Sequence, residues 1–161
     1  MSVVYFSIDT TGLDVSGAEI CAIGATTPDG WHFYQCIKPN VQIEQKASAI
    51  HGMRVFQGSL WKNNEVIHDA MEPRKGIRTF TNWLDLVNCK YLVAHFNHAF
   101  HGPVMLNNMK RYQVKIPRRI WLVDSMKFVT KRKIFFSKLD KVDKIYFIRN
   151  SFQIFRRSEV T

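Results

Sequence analysis

One carboxylate, Asp9, stands where an apolar segment of the chain ends and a polar turn begins. Residues 3–8 are mostly apolar, Asp9 follows them, and the sequence Thr-Thr-Gly-Leu comes next. Acidic side chains at such a strand end are suited to Mg²⁺, which needs several oxygen ligands to remain bound. Ser7 stands two residues before Asp9, where a second acid would share the same face of the strand, and its neutral hydroxyl is a poor substitute. The segment therefore has the form of a metal-binding strand end but lacks part of its chemistry.

Three histidines, His95, His98 and His101, recur at steps of three residues. Two histidines three residues apart on a helix can share a face and bind a transition metal. The segment that holds them is expected to be a turn from a strand into a helix, and no cysteine lies nearby to complete a tetrahedral site. The alternative is that His95 forms hydrogen bonds within the turn and the other two are surface or pocket residues. We therefore predict no metal site here.

The final third of the chain is strongly basic. The net charge is +10, but residues 1–109 hold 8 Lys and Arg against 9 Asp and Glu, whereas residues 110–157 hold 15 against 3. Lys and Arg neutralise phosphates and release counterions, so this asymmetry favours a polyanionic partner, with a solvated basic face as the alternative. Cations and aromatic residues are interleaved here, as in single-strand binders, and the basic run is also similar to a nuclear import sequence. The residues assigned to nucleic-acid binding are Lys131, Arg132, Lys133, Lys138, Arg149, Arg156 and Arg157.

Composition predicts one compact domain over residues 1–161, because 46% apolar residues are enough for a single core. No apolar run is long enough for a membrane span, and the N-terminal apolar run is too short for a signal peptide. Three cysteines without a CxxC spacing favour buried thiols in a reducing compartment. We therefore expect an intracellular protein, cytoplasmic or nuclear, that has no contact with a membrane.

Apolar periodicity predicts a mixed α/β sheet with helices packed on it. Residues 53–74 show no clear period and are predicted to be loop and short helix. The expected strands are 3–8, 18–26, 31–37, 91–94 and 121–124. The expected helices are 42–50, which ends at His51 and Gly52, 75–87, one that begins at Gly102 and Pro103, and a last one capped by Ser137.

Five phrases of the sequence, taken in order, resemble the DEDDh 3′–5′ exonucleases of the ribonuclease H-like fold. "SIDTTGL" is similar to the first motif, usually Asp-x-Glu-Thr-Thr-Gly-Leu, and "AEICAIGATTPDGWHFYQCIKPN" to the two strands that follow. "ASAIHGM" is similar to the family's short helix, and "YLVAHFNHAFHGPVML" to its second motif. "WLVDSMKF" and "FSKLDKVDKIYFI" resemble a later strand end and helix. The resemblance covers roughly residues 3–148, and it is strongest to the three-prime repair exonucleases and to the exonuclease-like domain of one form of the promyelocytic leukaemia protein.

The resemblance implies an α/β ribonuclease H-like exonuclease fold with a mixed central sheet flanked by helices, shortened at its C-terminal end. The family hydrolyses phosphodiesters with two Mg²⁺ ions held by four acids, and a histidine serves as base. Here Ser7 replaces the first acid, Asp9 takes the usual glutamate position, and His101 replaces the second-motif aspartate. No third motif is found in residues 149–161. We therefore predict a catalytically inactive module without a cofactor; the alternative is a weak Mg²⁺- or Mn²⁺-dependent exonuclease that uses Asp9 and unrecognised ligands.

The resemblance also implies a vestigial nucleotide pocket. In the family the Thr-Thr-Gly-Leu turn places backbone N–H groups near the terminal nucleotide and a leucine against its base. The alternative is that Gly12 only makes the turn and Leu13 packs in the core. The expected partner is nucleic acid, DNA or RNA, or else another protein, and the resemblance further implies a homodimer through sheet edges. The predicted pocket residues are Asp9, Thr10, Thr11, Gly12, Leu13 and His95.

Overall fold

The structure, a computed structural model, describes residues 2–115, 117 and 120–126. Five strands form the main sheet in the order β3, β2, β1, β7, β8. They are β1 (Ser2–Thr10), β2 (Ile20–Thr26), β3 (His32–Cys36), β7 (Cys89–Ala94) and β8 (Trp121–Asp124). All five agree with the strands predicted from the sequence.

The central strand β1 has neighbours of opposite direction on its two sides. It pairs antiparallel with β2, which pairs antiparallel with β3, and it pairs parallel with β7, which pairs parallel with β8. The carboxyl ends of β1, β7 and β8 therefore meet at one edge of the sheet. We call this the carboxyl edge; it lies where these strands end, at Thr10, Ala94 and Asp124.

Two helices, α2 (Pro73–Leu86) and α3 (Gly102–Arg111), bury their apolar residues in the same core as one face of the main sheet. Alternate residues of β1, Val4, Phe6 and Ile8, point into this core because successive strand side chains point to opposite faces. The ring of Phe80 from α2 lies 5.2 Å from that of Phe33 and 6.3 Å from that of Phe6, between ring centroids. The amphipathic pattern of residues 75–87 is thus confirmed as a core-facing helix.

The prediction of loop and short helix for residues 53–74 is wrong over much of that range. A second, three-stranded antiparallel sheet lies there, formed by β4 (Met53–Phe56), β5 (Ser59–Lys62) and β6 (Glu65–Val66). Gln57 and Gly58 have φ of 49° and 75° in the first turn, and Asn63 and Asn64 have 48° and 73° in the second. Positive φ at both central residues is the mark of type I′ hairpin turns. Strands of two to four residues are too short for an alternating pattern to stand out.

The small sheet covers part of the second face of the main sheet. Met53 and Leu60 are buried in one cluster with Cys21 and Cys36. The helix α1 (Gln45–His51) leads into β4, and Gly52 ends it with a left-handed φ of 75°, as the sequence predicts. The three cysteines are free and buried, in agreement with their prediction as buried thiols. Burial raises the pKa of the Cys89 thiol to about 11.

Several predictions fall outside the described residues or are not tested. The helix after Ser137 and the basic residues from Lys131 to Arg157 lie outside them. The elements above belong to one compact unit, Met1–Asp124, so a single domain over the whole chain stays a prediction. Within the described part of the chain, no helix combines the length and the apolar character that crossing a membrane requires.

Gly76 of α2 packs tightly against Ile37, the residue that follows β3. A Cβ built at this position would lie 2.6 Å from Cγ1 of Ile37, a residue with no exposed surface. We expect Gly76→Ala to lower the free energy of unfolding by about 1–3 kcal/mol, because overpacking a rigid contact outweighs the gain in helix propensity. Urea unfolding measures this change. Asn82→Ala, on the exposed side of the same helix, is the matched control and should be neutral or slightly stabilising; equal effects at the two positions would contradict the packing argument.

Candidate functional site

The first predicted site residues lie at the end of β1. Ser7 and Asp9 are both half-buried and alternate with the core residues Phe6 and Ile8, so they share the opposite face of the sheet. Ser7 pairs with Gly24 and Asp9 with Ala22 across β2. The register shifts between Asp9 and Thr10, which marks the point where β1 leaves regular pairing.

The turn that follows is held by its own side chains. The Thr10 hydroxyl donates to the carbonyl oxygen of Gly12 at 2.8 Å. The Thr11 backbone N–H donates to the Glu19 carbonyl at 2.8 Å, and the Thr11 hydroxyl accepts the Glu19 N–H at 2.9 Å. The turn is therefore preorganised, but the N–H of Thr11 already has a protein acceptor and is not left for a ligand.

Glu44 is a site residue that the sequence reasoning missed. Its backbone N–H donates to the Thr11 carbonyl at 2.8 Å, and its side-chain carboxylate lies against Cα of Gly12, where any Cβ would collide with it. Glu44 is exposed and immediately precedes α1. No local pattern links it to the motif turn, because only the folded chain brings α1 back to the end of β1.

Leu13 is exposed, with 76% of its surface accessible. The alternative prediction, that Leu13 packs in the core, is therefore wrong. An exposed leucine beside a rigid turn offers an apolar surface on which a ligand could rest.

The loop after the turn is tied to the end of α3. Glu19 is only 4% exposed and accepts the Asn40 N–H at 2.6 Å, and the Arg111 guanidinium lies 3.4 Å from its carboxylate. Arg111 also donates to the Ser16 carbonyl at 2.9 Å. Burial, with the neighbouring Glu19 carboxylate, raises the pKa of Tyr112 to about 12. A buried charge is tolerated here because it is paired and hydrogen-bonded.

His51 holds the other side of the turn. Its Nδ1 accepts the Met53 N–H at 3.1 Å, so its Nε2 carries the proton that is donated to the Thr10 carbonyl, also at 3.1 Å. The ring therefore joins α1 and β4 to the end of β1. This structural role was also missed from the sequence.

The segment that resembles the second exonuclease motif forms a π-helical turn, Asn97–His101, between β7 and α3. Asn97 is fully buried, and its amide donates to the Leu92 carbonyl at 2.8 Å and to the Val123 carbonyl at 3.0 Å, which ties β7 to β8. The His98 N–H donates to the Asp124 carboxylate at 3.0 Å. The interpretation of Asp124 as a hydrogen-bonding residue at a strand end is thus confirmed.

His101 lies against aromatic side chains. Its ring centroid is 6.0 Å from that of Phe6 and 5.5 Å from that of Phe100, and its Nδ1 is buried with no hydrogen-bond partner among the described residues. Burial lowers the pKa of His101 to about 4; Asp124 opposes this shift and His95 adds to it. The imidazole is therefore neutral near pH 7, where the resembled exonucleases have a carboxylate.

The described residues do not fit a two-magnesium site. Among them, no group of three or more His, Cys, Asp and Glu side chains is arranged to hold a metal ion. The three histidines at steps of three make separate contacts. The His95 ring lies against Phe96, the His98 ring lies 3.2 Å from the Leu122 carbonyl, and the His101 ring packs on Phe6. Asp9 directly precedes the turn, and the Glu44 carboxylate lies against Gly12 within it.

Phe96 has a strained backbone. Its φ is 55° and its side chain is 50% exposed, with its ring 4.7 Å from that of His95. A left-handed conformation costs a bulky L-residue about 1–2 kcal/mol. The other non-glycine residues with positive φ in the described part of the chain are all Asn or Gln: Gln57, Asn63, Asn64, Asn88 and Gln113.

Titration of His101 should make stability depend on pH. Between its pKa of about 4 in the folded chain and its ordinary value near 6.5, the unfolded chain binds a proton that the folded chain does not. The free energy of unfolding should therefore fall as pH is lowered through this window, by on the order of 3 kcal/mol from this group. Urea unfolding from about pH 7.5 to about pH 4 measures the slope.

Substitution of His101 tests whether its imidazole causes this pH dependence. His101→Phe should remove that part of the slope, whereas His68→Gln, at an exposed histidine, should leave it as in the wild type. An unchanged slope in His101→Phe would mean that the buried imidazole does not cause the pH dependence.

Several solved structures share this fold at low sequence identity. An apo exonuclease I matches with a TM-score of 0.62 and 13% identity over 82% of this chain and 31% of that chain. E. coli exonuclease I in complex with a dA16 oligonucleotide matches with a TM-score of 0.61 and 13% identity, over 82% of this chain and 30% of that chain. The family B DNA polymerase from Pyrobaculum calidifontis matches with a TM-score of 0.54 and 12% identity, over 82% of this chain and 16% of that chain. The chain thus spans about a third or less of these proteins, and the likeness shows the fold alone.

The ribonuclease H-like exonuclease fold predicted from the sequence is therefore confirmed. No curated protein sequence matches the chain. The family model described as the Exuperantia RNAse H-like domain matches residues 1–134, more than half of the sequence, and the chain therefore belongs to that family.

Proposed function

We propose that this domain is a catalytically silent exonuclease-fold module that binds single-stranded nucleic acid at the carboxyl edge. The proposal rests on one combined observation: the turn after β1 is preorganised, and two of the expected metal-binding acids are absent. The turn at residues 10–13 is held rigid with Leu13 exposed, while Ser7 and a neutral His101 stand where the resembled exonucleases have acids.

The absence of hydrolysis follows from the ligands that remain. Mg²⁺ is a hard cation that exchanges its water only for several well-placed oxygens. Asp9 supplies one carboxylate, the Ser7 hydroxyl is neutral, and imidazole is a better ligand for zinc or copper than for Mg²⁺. His101 is also packed against Phe6 and Phe100, so its ring is poorly placed to take a proton from water.

Binding of a single strand is supported by the fold and by the exposed surface of the turn. E. coli exonuclease I, which has a similar fold, binds dA16 and dT13 oligonucleotides in solved complexes. In this chain Leu13 would contact a base, and the basic residues between Lys131 and Arg157 would neutralise phosphates. The acidic Glu44 beside Gly12 favours contact through bases and sugars at the turn, because a carboxylate repels phosphate.

We further propose that the domain lies near the DEDDh branch of this fold, and specifically near the repair exonucleases. The motif "SIDTTGL" at the end of β1 and the second-motif segment at the end of β7 support this. A homodimer through sheet edges belongs to the same proposal, since β3 forms one edge of the main sheet.

A weak metal-dependent exonuclease is the second candidate function. The observation in its favour is Glu44, whose carboxylate lies at the same turn as Asp9 and supplies a ligand that the motif comparison does not include. In this case Asp9 and Glu44 would hold a Mg²⁺ or Mn²⁺ ion together with oxygens of the substrate.

The test is a gel assay with labelled single- and double-stranded DNA and RNA in Mg²⁺, Mn²⁺ or EDTA, which detects both cleavage and retained complex. We expect intact substrate in a complex whose affinity falls steeply with salt. Leu13→Ala should weaken binding of single strands by about tenfold, the loss of roughly one base contact.

Matched variants separate the candidates. Leu86→Ala, at a residue that is 73% exposed at the end of α2, controls for loss of an exposed leucine. Shortening of the substrate with Mg²⁺ that disappears in both Asp9→Asn and Glu44→Gln would establish the enzyme instead. Intact and unbound substrate under all conditions would contradict the nucleic-acid proposal and direct attention to protein partners.

A further inference from the structure

We infer that Phe96 is a stacking platform for an unpaired base of the bound strand. This rests on the proposed function and names the part of the nucleic acid that this position of the site would hold. Phe96 lies within the segment that resembles the second exonuclease motif but is not one of the predicted site residues, and its case depends on its backbone, its exposure and its place in the sheet.

The backbone of Phe96 is in a conformation that folding alone does not favour. The other left-handed positions outside glycine in the described chain hold three asparagines, which tolerate this conformation, and two glutamines in turns; none holds an aromatic residue. Phe96 has φ 55° and ψ 34° just before the π-helical turn, with a bulky apolar side chain. Strain of this kind is commonly retained at binding sites, where the surrounding structure imposes it.

The side chain of Phe96 is not used to fill the core. It is 50% exposed, whereas Ala94, two residues before it, and Asn97, the next residue, are buried. The His95 ring meets it edge to face, with centroids 4.7 Å apart and an interplanar angle of 77°. This contact orients the phenyl ring and is compatible with an exposed ring face, which is what a stacked base requires.

The sheet register places Phe96 beside the first motif. In the parallel pairing of β1 with β7, Tyr5 lies opposite Val93. β7 ends one residue later at Ala94, so the chain turns at His95 and Phe96 at the carboxyl edge, next to the strand that carries Ser7 and Asp9. A strand of nucleic acid that contacts Leu13 after the end of β1 would therefore pass Phe96 at the same carboxyl edge.

The experiment measures binding of a fluorescently labelled single-stranded oligonucleotide by the full chain at several salt concentrations. Phe96→Asn should lower affinity about tenfold, because base stacking on an aromatic ring is lost. The slope of log affinity against log salt should stay unchanged, because no phosphate contact is removed. The melting temperature should stay equal or rise, since asparagine relieves the left-handed strain.

Two further variants make the result specific. Trp31→Asn removes a ring that is 58% exposed just before β3, away from the carboxyl edge, and should leave affinity unchanged. Phe96→Trp should keep binding, whereas Phe96→Leu keeps the apolar character without an aromatic face and should bind like Phe96→Asn. This pair remains informative even if Phe96→Asn folds poorly.

A fluorescent base analogue in the strand gives a second readout, because its emission is quenched when it stacks. Quenching by the wild type that is lost in Phe96→Leu would support the inference. Equal affinity and equal quenching in wild type, Phe96→Leu and Phe96→Trp would overturn it while leaving nucleic-acid binding intact. Failure of the wild type to bind any strand would overturn the proposed function and this inference with it.

Discussion

The buried amide of Asn108 joins the two halves of the candidate site. Its side chain has no exposed surface, donates to the Ala18 carbonyl at 2.8 Å and the Val104 carbonyl at 2.9 Å, and accepts the Ile20 N–H at 3.3 Å. One side chain therefore connects α3, which begins at the π-helical turn, to the start of β2, which follows the motif turn. Every polar atom of this amide is satisfied, so replacement by an apolar residue would leave buried backbone groups without partners.

Other buried polar contacts repeat this arrangement around the carboxyl edge. Asn97 holds β7 to β8, His51 holds α1 to the end of β1, and Glu19 with Arg111 holds the loop between β1 and β2. None of these contacts uses the positions where the resembled exonucleases have metal ligands. This explains how the shape of the site can persist without its charges, because the supporting hydrogen bonds belong to other residues.

The groups at the carboxyl edge differ from the four acids and the histidine of the resembled exonucleases. The Thr11 N–H is bonded to Glu19, the Glu44 carboxylate lies against Gly12, and the His101 imidazole is neutral among aromatic rings. What the edge exposes instead is apolar surface, at Leu13 and Phe96. Under the proposed function, this surface would contact bases, which present a flat apolar face.

Much of the fold could be read from the sequence, because local patterns encode it. Alternating and helical periodicities depend only on neighbours along the chain, and they identified all five strands of the main sheet, the buried faces of α2 and α3 and the start of α3. The missing acids were equally visible, since Ser7 and His101 can be read directly. The strands at 53–66 escaped detection because each is too short for a period, although their paired positive-φ turns were signalled by Gln57-Gly58 and Asn63-Asn64.

The tertiary structure alone decided the properties that depend on distant contacts. Nothing near His101 in the sequence indicates burial against Phe6, and nothing near Glu44 indicates a place beside Gly12. The left-handed backbone of Phe96 likewise results from the junction of β7 with the π-helical turn. By itself the sequence determined the periodicities and the residue types at the motif positions. Burial, charge state and strain depend on residues that are distant in the chain, and these meet only when the sheet and helices have packed.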